Sequence, residues 1–433
     1  MGIVFPSAPN QPKKRDPRAK SSDDQTFTQE GGFSMRRRVM LLCILIVVLV
    51  ISTGCWNRRE LNELAIIMAF GLDKAGEQFV VTAQVVNPGQ VAAKEGGGGR
   101  SPVVTFQKRG DTIHEAIRKI TTVSPRKLYG AHVRMVVIGE DLAKEGFGEA
   151  LDLLSRDAEI RTDFFIVVAK EEKAEDVLHV LTTLEQIPAN KMYSSLEASA
   201  NAWAPSATVT LDQLLSDLVS KGKHPVLTGI QVKGDSETGG RKENVETIDS
   251  PVRLQYSGLA VFKKDQLAGW LNEKESKGYN YIRDQVQSTV DDVICPQRGK
   301  LALEVIRSKT EIKGKVVNGR PQIVIDVRTE ENISDVECSI DLTRNETIQE
   351  LEKLGEQSIK DIIATSVHKV QKKYKVDIFG FGEVIRRSNP QYWKKVENNW
   401  DQEFADLSVQ VKVDVKIRRI GSAGNSILNE LKE

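Results

Sequence analysis

Residues 39–51 form the one long unbroken apolar run of this chain, and their flanks decide where everything after them folds. Arg36, Arg37 and Arg38 precede the run, and Ser52-Thr53-Gly54-Cys55 follow it. A basic cluster, a short apolar stretch and a small residue before a cysteine form the layout of an export signal whose cleaved end carries lipid. About 13 residues make roughly 20 Å of helix against a hydrocarbon core of about 30 Å, which is short for a permanent span. Ser52 stands three before the cysteine, where Leu is usual, with Ile51 one step further out. An uncleaved signal anchor and a buried core helix are the competing readings. Residues 35–54 are therefore expected to be a lipoprotein signal peptide, cut between Gly54 and Cys55, with Cys55 as the lipid-attachment site.

Residues 1–34 are rich in Pro, Lys, Asp, Ser and Gln and poor in aliphatic side chains. That composition reads as disordered. Met35 stands directly before the arginines, so translation starts either there or at Met1, the latter giving a long polar pre-sequence.

Cleavage leaves 379 of the 433 residues, enough for two or three domains. Eight basic and four acidic residues lie ahead of Cys55, so the body carries 53 Lys/Arg against 56 Asp/Glu, a net charge of −3. So even a balance gives no broad basic field, and nucleic acid is not an expected partner. No second apolar run approaches spanning length, so the body hangs outside the bilayer. Of four cysteines, Cys43 leaves with the signal, Cys55 takes lipid, and Cys295 and Cys338 remain. In an oxidising compartment these two form a possible disulfide; two buried free thiols are the equal alternative. No His or other Cys stands at ligand spacing near either, so no metal is expected.

Patterning along the body implies an α+β fold of three mixed sheet/helix domains. In 55–190, strands are expected at 64–71, 79–86, 103–107, 133–138 and 164–169, with helices at 111–121, 147–154 and 174–184. In 191–285, residues 192–207 read as a link, 211–219 as helix, 226–232 and 254–262 as strands, 234–249 as a polar mobile loop, and 266–271 as the start of a helix. In 286–433, strands at 301–309, 311–317 and 322–330 surround an Asn318-Gly319 turn. A long amphipathic helix follows at 346–374, and a half-buried strand at 408–417.

Chemistry is hard to find. His114-Glu115 opens like a zinc-protease motif, but Arg118 stands where the second histidine belongs. Gly96 to Gly99 lacks the Lys-Ser or Lys-Thr of a phosphate loop, and a glycine-rich flexible loop is the better account. Ile378-Phe379-Gly380-Phe381-Gly382-Glu383 lacks the third glycine of a dinucleotide fingerprint and follows a helix; it reads as a tight turn packing two Phe rings. None of the five histidines, His114, His132, His179, His224 and His368, sits beside a Ser or Cys in a nucleophile motif. Trp393 and Trp400 are expected on one helix face, packed in the core or presented to a partner. No catalytic or cofactor-binding residue is assigned.

Two stretches carry a resemblance. Gly54-Cys55-Trp56-Asn57-Arg58-Arg59-Glu60-Leu61-Asn62-Glu63-Leu64-Ala65, followed by Gly71-Leu72-Asp73, resembles the mature start of the Ger(x)C family, with Asn57 where Asp is usual. Residues 371–383, continuing through Pro390, Trp393 and Trp400 to Arg419-Ile420-Gly421, resemble its C-terminal part. These are the C subunits of nutrient germinant receptors in spore-forming bacteria. The resemblance implies a non-catalytic lipoprotein on the outer face of the spore's inner membrane, bearing diacylglycerol and an N-acyl chain on Cys55. Its implied partners are membrane-embedded A and B subunits, besides membrane lipid through the anchor. It assigns no nutrient-contacting residue, and direct nutrient binding stays open. A solute-binding lipoprotein of a nutrient importer is the runner-up; an exported hydrolase and an intracellular scaffold are the other readings.

Overall fold

Residues 135–138 and 165–169 are apolar at every position because they lie in a sheet covered on both faces, a pattern that alternation alone does not give. The computed structural model describes residues 31–51, 63–91, 100–295 and 299–419. Residues 1–60, in which helix Gly31–Ile51 is described, form one unit, and residues 61–433 form the other. The helix begins inside the stretch expected to be disordered, and side chains from Met35 to Ile46 are exposed. Among the described residues no helix is long and apolar enough to cross a membrane.

The strands of the body are β1 (Leu64–Ala75), β2 (Gln78–Val86), β3 (Val103–Gly110), β4 (Lys127–Tyr129), β5 (Met135–Ile138), β6 (Phe165–Ala169), β7 (Val226–Lys233), β8 (Arg253–Lys263) and β9 (Gln266–Leu271). They form one sheet in the order β3-β2-β1-β5-β6-β7-β8-β9, with β4 beside β1. The centre, β1-β5-β6-β7, is parallel, and the flanks are antiparallel. Val136, Ile138, Ile166 and Val168 face one core, with helices Ile113–Ile120, Gly148–Arg156 and Leu211–Val219. Met135, Val137, Phe165 and Val167 face the other, with helices Ala174–His179 and Pro188–Ala202.

A second sheet, β10 (Thr289–Ile294), β11 (Lys300–Val317), β12 (Arg320–Val336) and β13 (Ser408–Arg419), runs in sequence order. β12 and β13 are parallel, so the chain between them must cross over. Helix Asn345–Lys369 does this, ending in a π turn at Val370–Tyr374 and a left-handed Lys375. Leu303, Val305, Ile323, Ile325 and Val327 are buried at period two. All of these but Leu303 join Ile359, Ile363 and Val367 in a core continuous with that of the first sheet.

The mixed α+β class stands, with four corrections of detail. The boundary placed at residue 190 falls inside one sheet, since β6 pairs with β7 across it. Residues expected as a link are mostly helix Pro188–Ala202, which buries Ala189, Met192 and Leu196. Residues 266–271 form a strand, β9, returned against β8 by a turn at left-handed Lys264; the helix starts at Glu273. Asn318-Gly319 does turn β11 into β12, but the pair is two long strands where three were expected, since 301–309 and 311–317 are one.

Candidate functional site

Gly54 and Cys55, the expected cleavage and lipid positions, lie outside the described residues, as do Gly96 to Gly99. Cys295 and Cys338 are joined in a disulfide, Cα atoms 6.4 Å apart, in a small core with Leu301, Leu303 and Ile340.

Gly71-Leu72-Asp73 proves to be a packing device. The Asp73 carboxylate accepts the backbone N–H of Ala174 at 2.8 Å and of Glu175 at 3.0 Å, capping helix Ala174–His179. Burial raises its pKa against those two bonds. A Cβ on Gly71 would lie 3.0 Å from Leu178 Cδ1, so glycine lets this helix sit directly on β1.

The C-terminal motif is a knot tied around Asp377, which is fully buried. Its carboxylate accepts the N–H of Phe379 at 3.0 Å, Gly380 at 2.8 Å and Gly382 at 2.8 Å, and the indole N–H of Trp400 at 2.9 Å. Burial pushes this carboxyl up while the Gly382 and Trp400 donors pull it down. The Asp377 carbonyl accepts the N–H of His224 at 2.7 Å, tying the knot to the loop after helix Leu211–Val219. Gly380 has φ +79°, and a Cβ on Gly382 would lie 2.6 Å from Gly222 Cα. Phe379 and Phe381 stack at 5.1 Å, as the tight-turn reading expected. Trp393 and Trp400 sit on separate helices, Pro390–Val396 and Trp400–Ala405, both buried and edge-to-face at 5.3 Å. Neither is offered to a partner; both belong to the core.

Beside the knot lies a cleft with two lobes, about 370 and 330 Å³, meeting at Asp217, Lys223 and Arg283. Lys223 pairs with Asp217 at 2.6 Å. Glu383 pairs with Arg386 at 2.7 Å, and Asp284 pairs with Lys309 while accepting the Thr310 N–H at 2.7 Å. Arg283 donates from Nη1 to the Phe379 carbonyl at 3.0 Å, and its buried Nε has no partner. Arg387 also lines the cleft, without an ion-pair partner among the described residues. With Asp217, Asp284 and Glu383 ion-paired, and with Arg387 and the Nε of Arg283 without partners among the described residues, the cleft suits a small polar or anionic group better than acid–base chemistry.

The histidines are structural where they are ordered by contacts. Arg118 Nε donates to His114 Nε2 at 3.3 Å, so the failed zinc motif is a helix-surface pair. His224 accepts the Lys264 N–H on Nδ1 at 3.0 Å and meets Asp401 through Nε2 at 3.0 Å. Among the described residues no three His, Cys, Asp or Glu side chains are grouped to hold a metal.

One cluster went unread in the sequence. Lys277 Nζ lies 3.6 Å from the Trp203 ring centroid, donates to the Val290 carbonyl at 3.1 Å, and stands 3.9 Å from Asp291. Tyr281 donates to Asp291 at 3.0 Å, and Thr329 donates to Glu331 at 2.7 Å. Burial pushes Glu331 up to about 7. A single apolar-faced lysine among GYNYI carries no signal of this kind.

Comparison with known proteins bears on both halves. Residues 57–232 match the family model "Spore germination protein N-terminal domain", and residues 257–421 match "Spore germination B3/GerAC like, C-terminal". The chain is 35% identical to spore germination protein KC of Bacillus subtilis (strain 168) over 407 residues, 92% of this chain and all of that protein. It is 26% identical to spore germination protein YndF of the same organism over 416 residues, 90% of this chain and 98% of that one. The crystal structure of the GerBC protein aligns over 80% of this chain and 96% of that one, at 18% identity and a TM-score of 0.49.

Proposed function

Since this chain belongs to the spore germination B3/GerAC-like family, we propose that it is the lipid-anchored, non-catalytic C subunit of a spore germinant receptor. The observation that carries this reading is the 35% identity to spore germination protein KC, which runs the whole length of that protein. Cys55 takes diacylglycerol and an N-acyl chain, and the body is held on the outer face of the spore's inner membrane. Several acyl chains, each contributing roughly 0.8 kcal/mol per buried CH₂, make such an anchor persistent. Confinement beside the membrane-embedded A and B subunits raises their effective concentration, so that modest interfaces are occupied without large buried areas. The buried motifs fit a subunit that transmits contacts: Asp73 and Asp377 each lock a helix or turn against a distant strand or loop, which keeps the body rigid.

The test is genetic and chemical. Spores lacking this chain are expected to lose ion release to one class of nutrient, and restoring the chain with Cys55→Ala is expected to restore little of it. The chain should also co-purify with two multi-span proteins from detergent extracts. Unchanged release in its absence, for every nutrient the parent spores answer, sinks the assignment.

The cleft at Arg283 and Arg387 favours one rival, a solute-binding lipoprotein of a nutrient importer. Nutrient binding by the unlipidated chain together with loss of uptake, and with germination intact, would select that reading.

A further inference from the structure

The N-terminal end of β1 is the end where β2 finishes and where β3 and β4 begin. The register fixes this: Ile67 pairs with Val85, Val85 with Val104, Val86 with Val103, and Leu64 with Lys127. Between these strand ends lies a groove of about 200 Å³ whose lining includes Ala65, Val86, Pro88, Val104 and Phe106, with Arg126 at its edge. Three aliphatic side chains stand exposed around it: Val91 at 39%, Val104 at 43% and Val123 at 49%. Val91 follows from Asn87, a groove residue, through the N–H of Val91 donating to the Asn87 carbonyl, and Val123 adjoins Ser124, another. Arg126 and Arg100 are exposed, and among the described residues neither has an ion-pair partner. Arg100 precedes Ser101, whose carbonyl accepts from Asn87 Nδ2 at 3.4 Å, so its backbone lies at the same end. Glu63 sets one exposed negative charge against them.

Chain length says what comes near this end. Leu64 is nine residues after Cys55, a distance of at most about 30 Å even when fully extended. The opposite end of β1, at the Gly76-Glu77 turn, lies roughly 36 Å farther along the strand. A body tethered at Cys55 therefore keeps the grooved end within reach of the bilayer surface, and the turn at Glu77 can point away.

We propose that the grooved end of the first sheet rests on an anionic lipid surface. Val91, Val104 and Val123 enter the headgroup boundary, acyl chains fill the groove, and Arg100 and Arg126 meet lipid phosphates. The inference rests on the reading of Cys55 as a lipid anchor, because three valines and two arginines bind weakly unless the tether supplies the concentration. Docking fixes the orientation of the body on the bilayer.

The experiment uses the full chain, expressed so that it is processed, in vesicles where about one lipid in three is phosphatidylglycerol. A single added cysteine, Val123→Cys or Glu77→Cys, carries a small fluorophore, and quencher-bearing lipids report proximity to the headgroups. The label at 123 is expected to be quenched strongly and the label at 77 weakly. Arg100→Gln and Arg126→Gln are each expected to lower the docked-to-undocked ratio about fivefold, and phosphatidylcholine vesicles to lower it further. These positions are exposed, so folding is preserved, and circular dichroism checks it. Equal quenching at 123 and 77, or none at 123, overturns the proposal, and equal docking on neutral vesicles overturns its anionic part. Intact mass of the same sample separates the two claims: acyl chains on Cys55 with no quenching at 123 leave the anchor standing and remove the docked face.

Discussion

The indole N–H of Trp400 donates to the Asp377 carboxylate at 2.9 Å, across 23 residues of chain. Three backbone N–H groups converge on the same carboxylate, so one fully buried residue closes a turn and seats a helix with its side chain, and holds the loop at His224 with its backbone carbonyl. A buried acceptor of this kind is expensive to remove, because each orphaned donor keeps its desolvation cost.

Asp377→Asn places an amide N–H₂ where two donors already point, and is expected to cost about 2–4 kcal/mol. Trp400→Phe removes one bond and is expected to cost about 1–2 kcal/mol. Because the two share that bond, their effects should fall short of additive in a double-mutant cycle. Urea midpoints measure all three, and a loss under about 0.5 kcal/mol for Asp377→Asn would mean that the knot is decorative.

Glu331 gives stability a pH dependence with a definite sign. Folded, it titrates at about 7, because burial outweighs the Thr329 hydroxyl that it accepts. Unfolded, it titrates near the ordinary glutamate value of about 4.3. Between those values the native state holds the extra proton, so stability is greatest below the lower pH and falls as pH rises toward 7, by at most about 4 kcal/mol. Glu331→Gln should flatten that slope and gain stability near pH 8. Asp73, Asp291 and Asp377 are raised too, so the slope difference between parent and variant is the quantity to read. Identical slopes contradict the assignment.

The bond between Cys295 and Cys338 closes a loop of 43 residues around the edge of the second sheet. Loop entropy assigns it about 4 kcal/mol, within a usual range of roughly 0–5. The paired variant Cys295→Ser, Cys338→Ser is expected to unfold at lower urea, with the parent matching it only after reduction in denaturant. Parent protein whose midpoint ignores reductant is free of the bond.

Asp73→Ala is expected to cost about 1–2 kcal/mol by uncapping helix Ala174–His179. Hydrogen exchange should speed first at Ala174 and Glu175, whose N–H groups lose their acceptor. Protection unchanged at both would deny the cap.

What the sequence reveals and hides here follows from the period of each element. β5 and β6 are legible because a strand covered on both faces is an unbroken apolar run, and helix Asn345–Lys369 because its Ile, Leu and Val residues recur mostly every three or four residues. Helix Pro188–Ala202 is hidden because its buried face, Pro188, Ala189, Met192 and Leu196, places only two large apolar side chains among Ser and Asn. β9 was misread since a six-residue apolar stretch does not separate the two periods. The domain boundary at 190 failed for another reason: parallel pairing of β6 with β7, which sets Val168 opposite Gly229 61 positions later, is a tertiary choice that no local pattern records. Of the site, both motifs were visible as resemblance, yet their physical roles were not, because Asp73 and Asp377 act on donors far away in sequence or folded back by glycines.

Intact mass of the protein extracted from spore membranes tests the anchor on which the receptor reading depends. The expected species begins at Cys55, has lost everything through Gly54, and carries a diacylglycerol and an N-acyl chain on that residue. A chain that retains the signal, or one that begins at Cys55 with its thiol unmodified, contradicts it.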